Sequence, residues 1–468
     1  MTFKSYIREI FLLTLLWAGI QPMHAQASGA ARLLGHFVPP TGGSYVSGCW
    51  GWTDTTTGRE YALLGSRSGT SIVEITDPAD PVERAFVPGP TSQWRELQTW
   101  EHYAYVVSEG GGGTQIIDLS PLPDSVHLVR SFIYTDGANS TARAHTAHVR
   151  EGYLYLNGCA FYGGGGVLIF SLADPEFPAF MSQYTSGHYI HDCFVRNDTL
   201  YAAAITGIGV EIVDVSDKAY PNYLATVFYP ESGTHNCAVT NDGGYLLTTD
   251  EVGLTEKTLK IWDLSTPGSY AKVAEYTGDA SAIVHNVFVR DTLAIMSYYT
   301  AGVKIVNISD PRNPVEVGGY DTCPDSLGSG ASYTGAWSVY PFFPSGRIIV
   351  GDMVSGLFII DLGGGVSAAA DTPPLPREVS LDQNYPNPFN PSTTIVFTLN
   401  ARREVHLAVY DALGTPVATL VNDTKGPGSF LVDWNGATGD GRPCASGVYY
   451  CRLTSGEETR VRPLLLLR

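Results

Sequence analysis

The chain has 468 residues, of which 44% are hydrophobic and only 16% are charged, so it can bury a large core and is not intrinsically disordered. Its 46 acidic residues outnumber the 28 basic ones and produce a formal net charge of −18. Nucleic acids and anionic membranes would be repelled by so acidic a surface, and we expect no nucleic-acid partner.

Residues 1–27 have the three parts of a secretory signal peptide. Lys4 and Arg8 precede an apolar run over residues 10–20, and the small residues Ala25 and Ala27 follow it. The apolar run is too short to predict a membrane-spanning helix, and no later segment predicts a transmembrane segment. We therefore expect an exported chain.

An apolar strand pattern recurs seven times between residues 68 and 364, as in SGTSIVEITDP (68–78) and AGVKIVNISDP (301–311). Each copy carries one polar residue near its end, and the copies lie 43 to 54 residues apart. Repeats of this length made only of strands predict a β-propeller, because one small sheet cannot bury its own faces whereas a ring of sheets can. The polar markers are Glu74, Asp118, Ser171, Asp214, Asp263, Asn307 and Asp361.

Four strands are predicted for each repeat: an inner strand, two middle strands and an outer strand. The seventh repeat ends near Asp361 without an outer strand, whereas residues 31–38 have the outer-strand pattern at the other end of the chain. We therefore predict an all-β fold in which residues 28–364 form a seven-bladed β-propeller closed by the N-terminal strand. Closure of this kind removes unpaired sheet edges.

After a Gly/Ala/Pro-rich linker at residues 365–378, the strand pattern changes. The segments NYPNPFNPSTTIVFTL (384–399) and ASGVYYCRL (445–453) resemble the secretion-tail domain of bacterial type IX secretion substrates. The resemblance implies that residues 379–468 form a small immunoglobulin-like β-sandwich that the type IX secretion machinery recognises. It also implies a protein that is secreted or attached to the outer cell surface of a Gram-negative-type bacterium.

The propeller region resembles the LVIVD-repeat proteins of the choice-of-anchor B family. The segments IVEITDP, VEIVDVSD and VKIVNISDP carry the resemblance, which extends over residues 31–364. In that family the same propeller is joined to different terminal anchors, which agrees with a sorting tail. The family provides no established reaction to carry over.

One residue type recurs at the start of the inner strands. His145, His191, His235 and His285 begin the inner strands of repeats three to six, and Arg95 occupies the equivalent place in repeat two. Inner strands surround the channel of a propeller, so the four imidazoles are candidate ligands for a divalent metal, and with Arg95 they form a candidate ring for an anionic ligand. The alternative is that each histidine is a repeat-consensus residue that hydrogen-bonds backbone groups, and repetition alone favours this structural interpretation.

The sequence favours a secreted or surface binding protein over an enzyme. The propeller would bind an unidentified protein, peptide or glycan, and the tail would direct export and anchoring. The rival hypothesis is an exported metal-dependent lyase or hydrolase that uses the channel histidines, and a third is a structural surface-layer or adhesion component. Neither His-Glu-x-x-His nor Gly-x-Ser-x-Gly occurs, so we predict no catalytic residue.

Overall fold

The computed structural model describes the chain in twelve stretches and divides it into two compact units, Met1–Ser367 and Ala368–Arg468. The predicted signal peptide and the predicted linker lie outside the described residues. The described stretches are residues 31–41, 45–159, 165–253, 256–323, 333–362, 379–381, 384, 387–399, 403–411, 414–425, 428–456 and 458–467.

Throughout these stretches the regular secondary structure is β-strand, which confirms the all-β prediction for the described residues. The strands of the first unit are β1 Arg32–Phe37, β2 Val46–Thr53, β3 Glu60–Ser66, β4 Gly69–Glu74, β5 Val82–Pro88, β6 Arg95–Trp100, β7 Tyr103–Ser108, β8 Thr114–Asp118, β9 His127–Phe132, β10 Thr135–Asp136, β11 Asn139–Ser140, β12 Thr146–Arg150, β13 Tyr153–Asn157, β14 Val167–Ser171 and β15 Ala179–Tyr184. They continue with β16 Ile190–Arg196, β17 Thr199–Ala204, β18 Gly209–Asp214, β19 Asn222–Val227, β20 Thr234–Val239, β21 Tyr245–Asp250, β22 Leu259–Asp263, β23 Ala271–Tyr276, β24 Val287–Arg290, β25 Leu293–Ser297, β26 Val303–Asn307, β27 Val315–Tyr320, β28 Ala336–Tyr340, β29 Ile348–Asp352 and β30 Gly356–Asp361.

Seven antiparallel sheets of four strands each are present in the described part of the first unit. Six of them use consecutive strands: sheet 1 is β2–β5, sheet 2 is β6–β9, sheet 3 is β12–β15, sheet 4 is β16–β19, sheet 5 is β20–β23 and sheet 6 is β24–β27. Sheet 7 has the strand order β1-β30-β29-β28, with Arg32 opposite Asp361 and Phe37 opposite Leu357. The N-terminal strand therefore occupies the outer position of the last sheet.

A β-bulge recurs between the third and fourth strands of sheets 1 to 6, at the apolar pair in the middle of the repeated sequence motif. One extra residue at this point bends the strand and increases its right-handed twist, so all six sheets acquire a similar local twist. The register shifts occur at Ile72/Val73, Ile116/Ile117, Ile169/Phe170, Ile212/Val213, Ile261/Trp262 and Ile305/Val306.

The hydrophobic core of the first unit lies between neighbouring sheets. Strands β3 and β4 are buried along their whole length, because sheets cover both of their faces. Sheet 7 also packs against sheet 1, where Ile349 and Ile359 share a cluster with Val46 and Leu64. Each fully buried aliphatic side chain stabilises the fold by about 1.5–3 kcal/mol, so this contact holds the two ends of the unit together.

In the second unit, two antiparallel sheets share one core. One sheet has the order β31-β32-β35 and the other has the order β34-β33-β36-β37. The core contains Phe397 and Trp434 from the first sheet and Leu407 and Leu453 from the second. The strands are β31 Val379–Leu381, β32 Thr393–Leu399, β33 Arg403–Tyr410, β34 Pro416–Lys425, β35 Gly428–Trp434, β36 Gly447–Ser455 and β37 Glu458–Leu466.

A search of the described residues of both units finds no helix with the length and apolar character needed to cross a membrane.

Candidate functional site

The first strands of the seven sheets lie next to one another in a continuous series. The contacts run from β2 to β6, β12, β16, β20, β24 and β28, and β28 contacts β2 in turn. Residues at equivalent positions of neighbouring first strands therefore lie close together.

The structure brings the four predicted histidines together in one row, which we call the histidine row (His145, His191, His235 and His285). Successive ring centroids are 4.1, 4.2 and 3.8 Å apart. Trp337 continues the row, with its ring 4.6 Å from that of His285. His191, His235 and His285 are at most 6% exposed, so these three members of the row are almost fully removed from solvent.

A second kind of β-bulge determines where these side chains point. His191, His235 and Trp337 are each the extra residue at a register shift between the first and second strands of their sheets. An extra residue of this kind has no cross-strand partner, and its side chain and carbonyl group are redirected. The bulges therefore turn these side chains towards the neighbouring sheet.

Hydrogen bonds to the next sheet hold the row in place. Nδ1 of His191 lies 3.1 Å from the carbonyl oxygen of His235, and because a carbonyl only accepts, this nitrogen carries the proton. Hydroxyl groups donate to the carbonyl oxygens of the row: Thr146 to His191 at 2.7 Å and Thr249 to His285 at 2.6 Å. These bonds support the interpretation that the histidines recur because they hydrogen-bond backbone groups. The bond from Nδ1 of His191 also fixes the tautomer in which Nε2 of His191 is unprotonated.

Burial keeps the imidazoles of His191, His235 and His285 neutral. It lowers the pKa of His191 and of His235 well below the usual value, and neighbouring imidazoles lower both further. It also lowers the pKa of His285 to about 3. Neutral imidazoles have a free lone pair and are suited to bind a metal.

Glu251 is a part of the site that the sequence analysis did not identify. Its Oε2 lies 3.8 Å from Nε2 of His235, and its Oε1 lies 3.7 Å from Nε2 of His285. The hydroxyl of Tyr299 donates to Oε1 at 2.5 Å. Burial raises the pKa of the Glu251 carboxyl, and the hydrogen bond from Tyr299 opposes this effect.

The sequence does contain a signal for Glu251, namely a glutamate directly after the second strand of a repeat. Glu251 directly follows the second strand of sheet 5, as Glu109 directly follows the second strand of sheet 2. Each glutamate approaches the histidine of the next sheet, and Glu109 lies 2.7 Å from Nδ1 of His145. This hydrogen bond is the largest cause of the lowered pKa of Glu109.

Arg95 has the predicted position at the start of β6, but its side chain bonds to backbone groups. Its Nε donates to the carbonyl oxygen of Ser66 at 3.0 Å and its Nη2 to that of Pro90 at 2.6 Å. The residue is 1% exposed, and burial lowers its pKa to about 10. The guanidinium group thus links sheet 2 to the end of β3 in sheet 1 and to the loop that precedes β6.

A cavity of about 250 Å³ lies one residue further along the first strands. Its polar lining includes Glu96, Asp192, Asn236 and Asn286. Burial raises the pKa of Asp192 to about 6, while the amide of Asn236 donates to this carboxylate at 2.6 Å. Along the first strands, a layer of imidazoles is therefore followed by a layer of oxygen-bearing side chains that line the cavity.

Comparison with known proteins identifies repeats in this chain. A family model described as the LVIVD repeat matches residues 203–227 and 298–322. No curated protein matches the chain.

Three matching solved structures have low sequence identity to this chain. PorZ, described as an essential bacterial surface component of the type-IX secretion system of Porphyromonas gingivalis, is 14% identical with a TM-score of 0.45, and the match covers 92% of this chain and 60% of PorZ. BamB from Moraxella catarrhalis is 12% identical with a TM-score of 0.42, over 68% of this chain and 84% of BamB. A putative 6-phosphogluconolactonase from Bacteroides uniformis is 15% identical with a TM-score of 0.45, over 62% of this chain and 88% of that one.

This chain thus spans 60% of the length of PorZ. With its LVIVD repeats and its four-stranded sheets, it is a repeat protein whose all-β architecture fits a β-propeller.

Proposed function

We propose that the chain is an exported binding protein of the cell surface, built as a seven-bladed β-propeller joined to a type IX sorting domain. The propeller comprises residues 28–364, and the N-terminal strand closes the ring in sheet 7. Two observations support closure: β1 pairs with β30, and β28 contacts β2. In the same proposal, residues 1–27 are the signal peptide and residues 365–378 the linker.

The observation that carries a binding role is the histidine row at one end of the series of first strands. Polar side chains buried together cost free energy unless they are paired, so such a cluster is maintained for packing or for a ligand. Aromatic rings pack beside the row: Trp94, which is half-buried, stacks on the buried Trp337 at 5.7 Å, and both belong to a cluster with Tyr299 and Met353. Imidazole, carboxylate and aromatic groups at one end of a channel suit a peptide or a glycan.

The sorting role rests on the second unit. Residues 379–468 carry the Asn-Pro-Phe-Asn-Pro segment, and their two sheets enclose a core of their own. A small β-sandwich with an independent core can be recognised and removed without disturbing the propeller.

Truncation tests the sorting role. We expect a chain that lacks residues 379–468 to keep the thermal transition of its first unit but to accumulate in the periplasm of a host with a type IX secretion system. A reporter protein fused to residues 365–468 should reach the cell surface in the same host. Normal export of the truncated chain would refute the sorting assignment.

Glycan and peptide arrays test the binding role. The purified full chain should retain a defined set of probes, and Trp94→Ala, which removes one face of the aromatic stack, should weaken retention. The matched control is Trp100→Ala, outside this aromatic cluster. Equal retention by both variants would contradict a binding site at the histidine row.

The rival function is an exported metal-dependent lyase or hydrolase. One observation favours it: ligand atoms of His191, His235 and Glu251 lie within 4.8 Å of one another. Turnover of an array ligand that depends on added metal would support the enzyme, whereas retention without turnover supports the binding protein.

A further inference from the structure

We propose that His191, His235 and Glu251 form a binding site for one divalent transition-metal ion of the Zn²⁺ class. The inference does not depend on the export route or on the ligand of the propeller. It differs from the sequence-based metal hypothesis in its ligands, because it replaces His145 and His285 with a carboxylate from a loop.

The donor atoms are already close together. One ligand atom from each residue lies within 4.8 Å of the other two. Around a tetrahedral zinc ion with bonds of about 2.0–2.1 Å, nitrogen and oxygen ligands are roughly 3.3 Å apart. Side-chain movements on the order of 1 Å would therefore complete the coordination, and the bulges that carry both histidines need not change.

The tautomer of His191 is the one a metal ligand requires. Its Nδ1–H donates to the carbonyl oxygen of His235, so the lone pair of Nε2 is available. Histidines that bind metals nearly always donate their second ring N–H to a carbonyl or carboxylate, which fixes the ring and increases its basicity. The carbonyl group of His191 is fixed in turn by the hydroxyl of Thr146.

Glu251 has the same kind of support. Its Oε1 accepts the hydrogen bond from Tyr299, so Oε2, which faces His235, is the oxygen available to a metal. Lys257, the lysine whose charge reaches Glu251, donates its ammonium protons to the carbonyls of Val252 and Gly253. The Glu251 carboxylate thus lies beside Nε2 of His235 and Nε2 of His285, where a divalent cation would contact oxygen and nitrogen donors together.

The ligand types select the class of metal. Two imidazole nitrogens and one carboxylate oxygen suit Zn²⁺ and its neighbours Co²⁺, Ni²⁺ and Cu²⁺. Ca²⁺ and Mg²⁺ prefer oxygen ligands alone. Three protein ligands leave the fourth position of a tetrahedral ion for a water molecule or a ligand group, as in zinc sites that bind substrates.

Cobalt spectroscopy on the purified full chain tests the proposal. After treatment with a chelator, the protein should bind one equivalent of Co²⁺, with visible absorption bands of a four- or five-coordinate ion, and Zn²⁺ should displace it. Calorimetry with Zn²⁺ alone should give the same stoichiometry. The absence of Co²⁺ and Zn²⁺ binding by the wild-type protein would overturn the proposal and leave the export test unaffected.

Substitutions identify the ligands. His191→Gln, His235→Gln and Glu251→Gln should each lower the affinity for Zn²⁺ by more than about 100-fold, whereas Tyr299→Phe, which removes an outer hydrogen bond, should lower it about tenfold. The matched control is His127→Gln, an exposed histidine on β9, which should bind as the wild type does. Unchanged affinity in His191→Gln and His235→Gln would place the ion elsewhere and overturn the assignment.

Thermal denaturation keeps the test valid if a variant is less stable. Bound Zn²⁺ should raise the Tm of the wild-type protein and of His127→Gln, because the ion binds the folded state. It should not raise the Tm of Glu251→Gln, whatever the Tm of that variant without metal. If Zn²⁺ raised the Tm of Glu251→Gln as much as that of the wild-type protein, the proposal would be overturned.

Discussion

Asn236 connects three sheets, and its removal offers a quantitative test of the contacts between neighbouring sheets. The side chain belongs to sheet 5 and is 5% exposed. Its amide nitrogen donates to Asp192 of sheet 4 at 2.6 Å, and its Oδ1 accepts the backbone N–H of Val287 of sheet 6 at 3.0 Å. Asn236→Ala therefore breaks two hydrogen bonds between sheets at once.

The expected loss follows from the groups left behind. A buried polar group that loses its partner costs about 1–3 kcal/mol, and alanine leaves both the N–H of Val287 and one oxygen of Asp192 without a partner. Water in the adjacent cavity of about 250 Å³ can replace part of the bond to Asp192. We therefore expect Asn236→Ala to lower the free energy of unfolding by about 3 kcal/mol.

Urea unfolding followed by tryptophan fluorescence measures this difference, with differential scanning calorimetry as the second measurement. The matched control is Asn222→Ala, an exposed residue at the start of β19, which should change the free energy of unfolding by less than about 0.5 kcal/mol. A loss below about 0.5 kcal/mol in Asn236→Ala would refute the reasoning, since bonds between sheets would then contribute little to stability.

Three further predictions concern strand pairing, an ion pair and pH. In Gly35→Val, the new Cβ would lie 1.7 Å from the carbonyl oxygen of Pro78, so β1 must move away from Pro78 and its pairing with β30 is strained, at a cost of about 3 kcal/mol. Lys260→Met leaves Asp250, which is 0% exposed and 2.8 Å from the ammonium group, without its cation, at a cost of about 3–5 kcal/mol. Burial lowers the pKa of His148 to about 3, and its Nε2 accepts the N–H of Val195. The unfolded chain binds this proton below a pKa of about 6.5, so stability should fall as the pH falls from 6.5 towards 3, by about 2 kcal/mol at pH 5.

Thermal denaturation of matched variants checks all three predictions. Leu33→Val on β1, Lys272→Met on the exposed part of sheet 5 and the exposed His127→Gln should each behave nearly as the wild type does. The double variant Lys260→Met/Asp250→Asn should recover most of the stability lost in Lys260→Met. A wild-type Tm in Gly35→Val would contradict the strand-pairing prediction. The ion-pair prediction would be wrong if the double variant recovered no stability. The pH prediction would be wrong if the Tm of His148→Gln fell with decreasing pH as steeply as that of the wild type.

Local sequence patterns predicted the strands because strand formation depends on short-range periodicity and composition. The repeated motif places β-branched residues such as Ile72 and Val73 together, and these favour an extended chain that is buried on both faces. The position of the N-terminal strand was also predictable, because the seventh repeat lacks a segment that residues 31–38 contain. Antiparallel pairing of β1 with β30 follows from that deficit.

Other features depend on contacts between distant residues. Arg95 occupies the predicted place in its repeat, but its donors bond to the carbonyl groups of Ser66 on β3 and of Pro90 in a loop. Glu251 approaches His235 and His285 from a loop, so no motif within one strand indicates it. The bulges at His191 and His235 could not be predicted from the sequence pattern. A single extra residue hardly changes the alternation of apolar and polar residues along a strand, so the pattern does not show where a bulge lies.

The sequence by itself determined that the chain is all-β, that its strands recur with one period, and that histidines begin four consecutive inner strands. Only the tertiary structure decided that these histidines meet ring against ring, which nitrogen of His191 carries the proton, and that Glu251 lies beside His235 and His285. The physical reason is that strand formation depends on local backbone and side-chain preferences, whereas a binding site depends on distances between residues that sheet packing and single-residue bulges bring together.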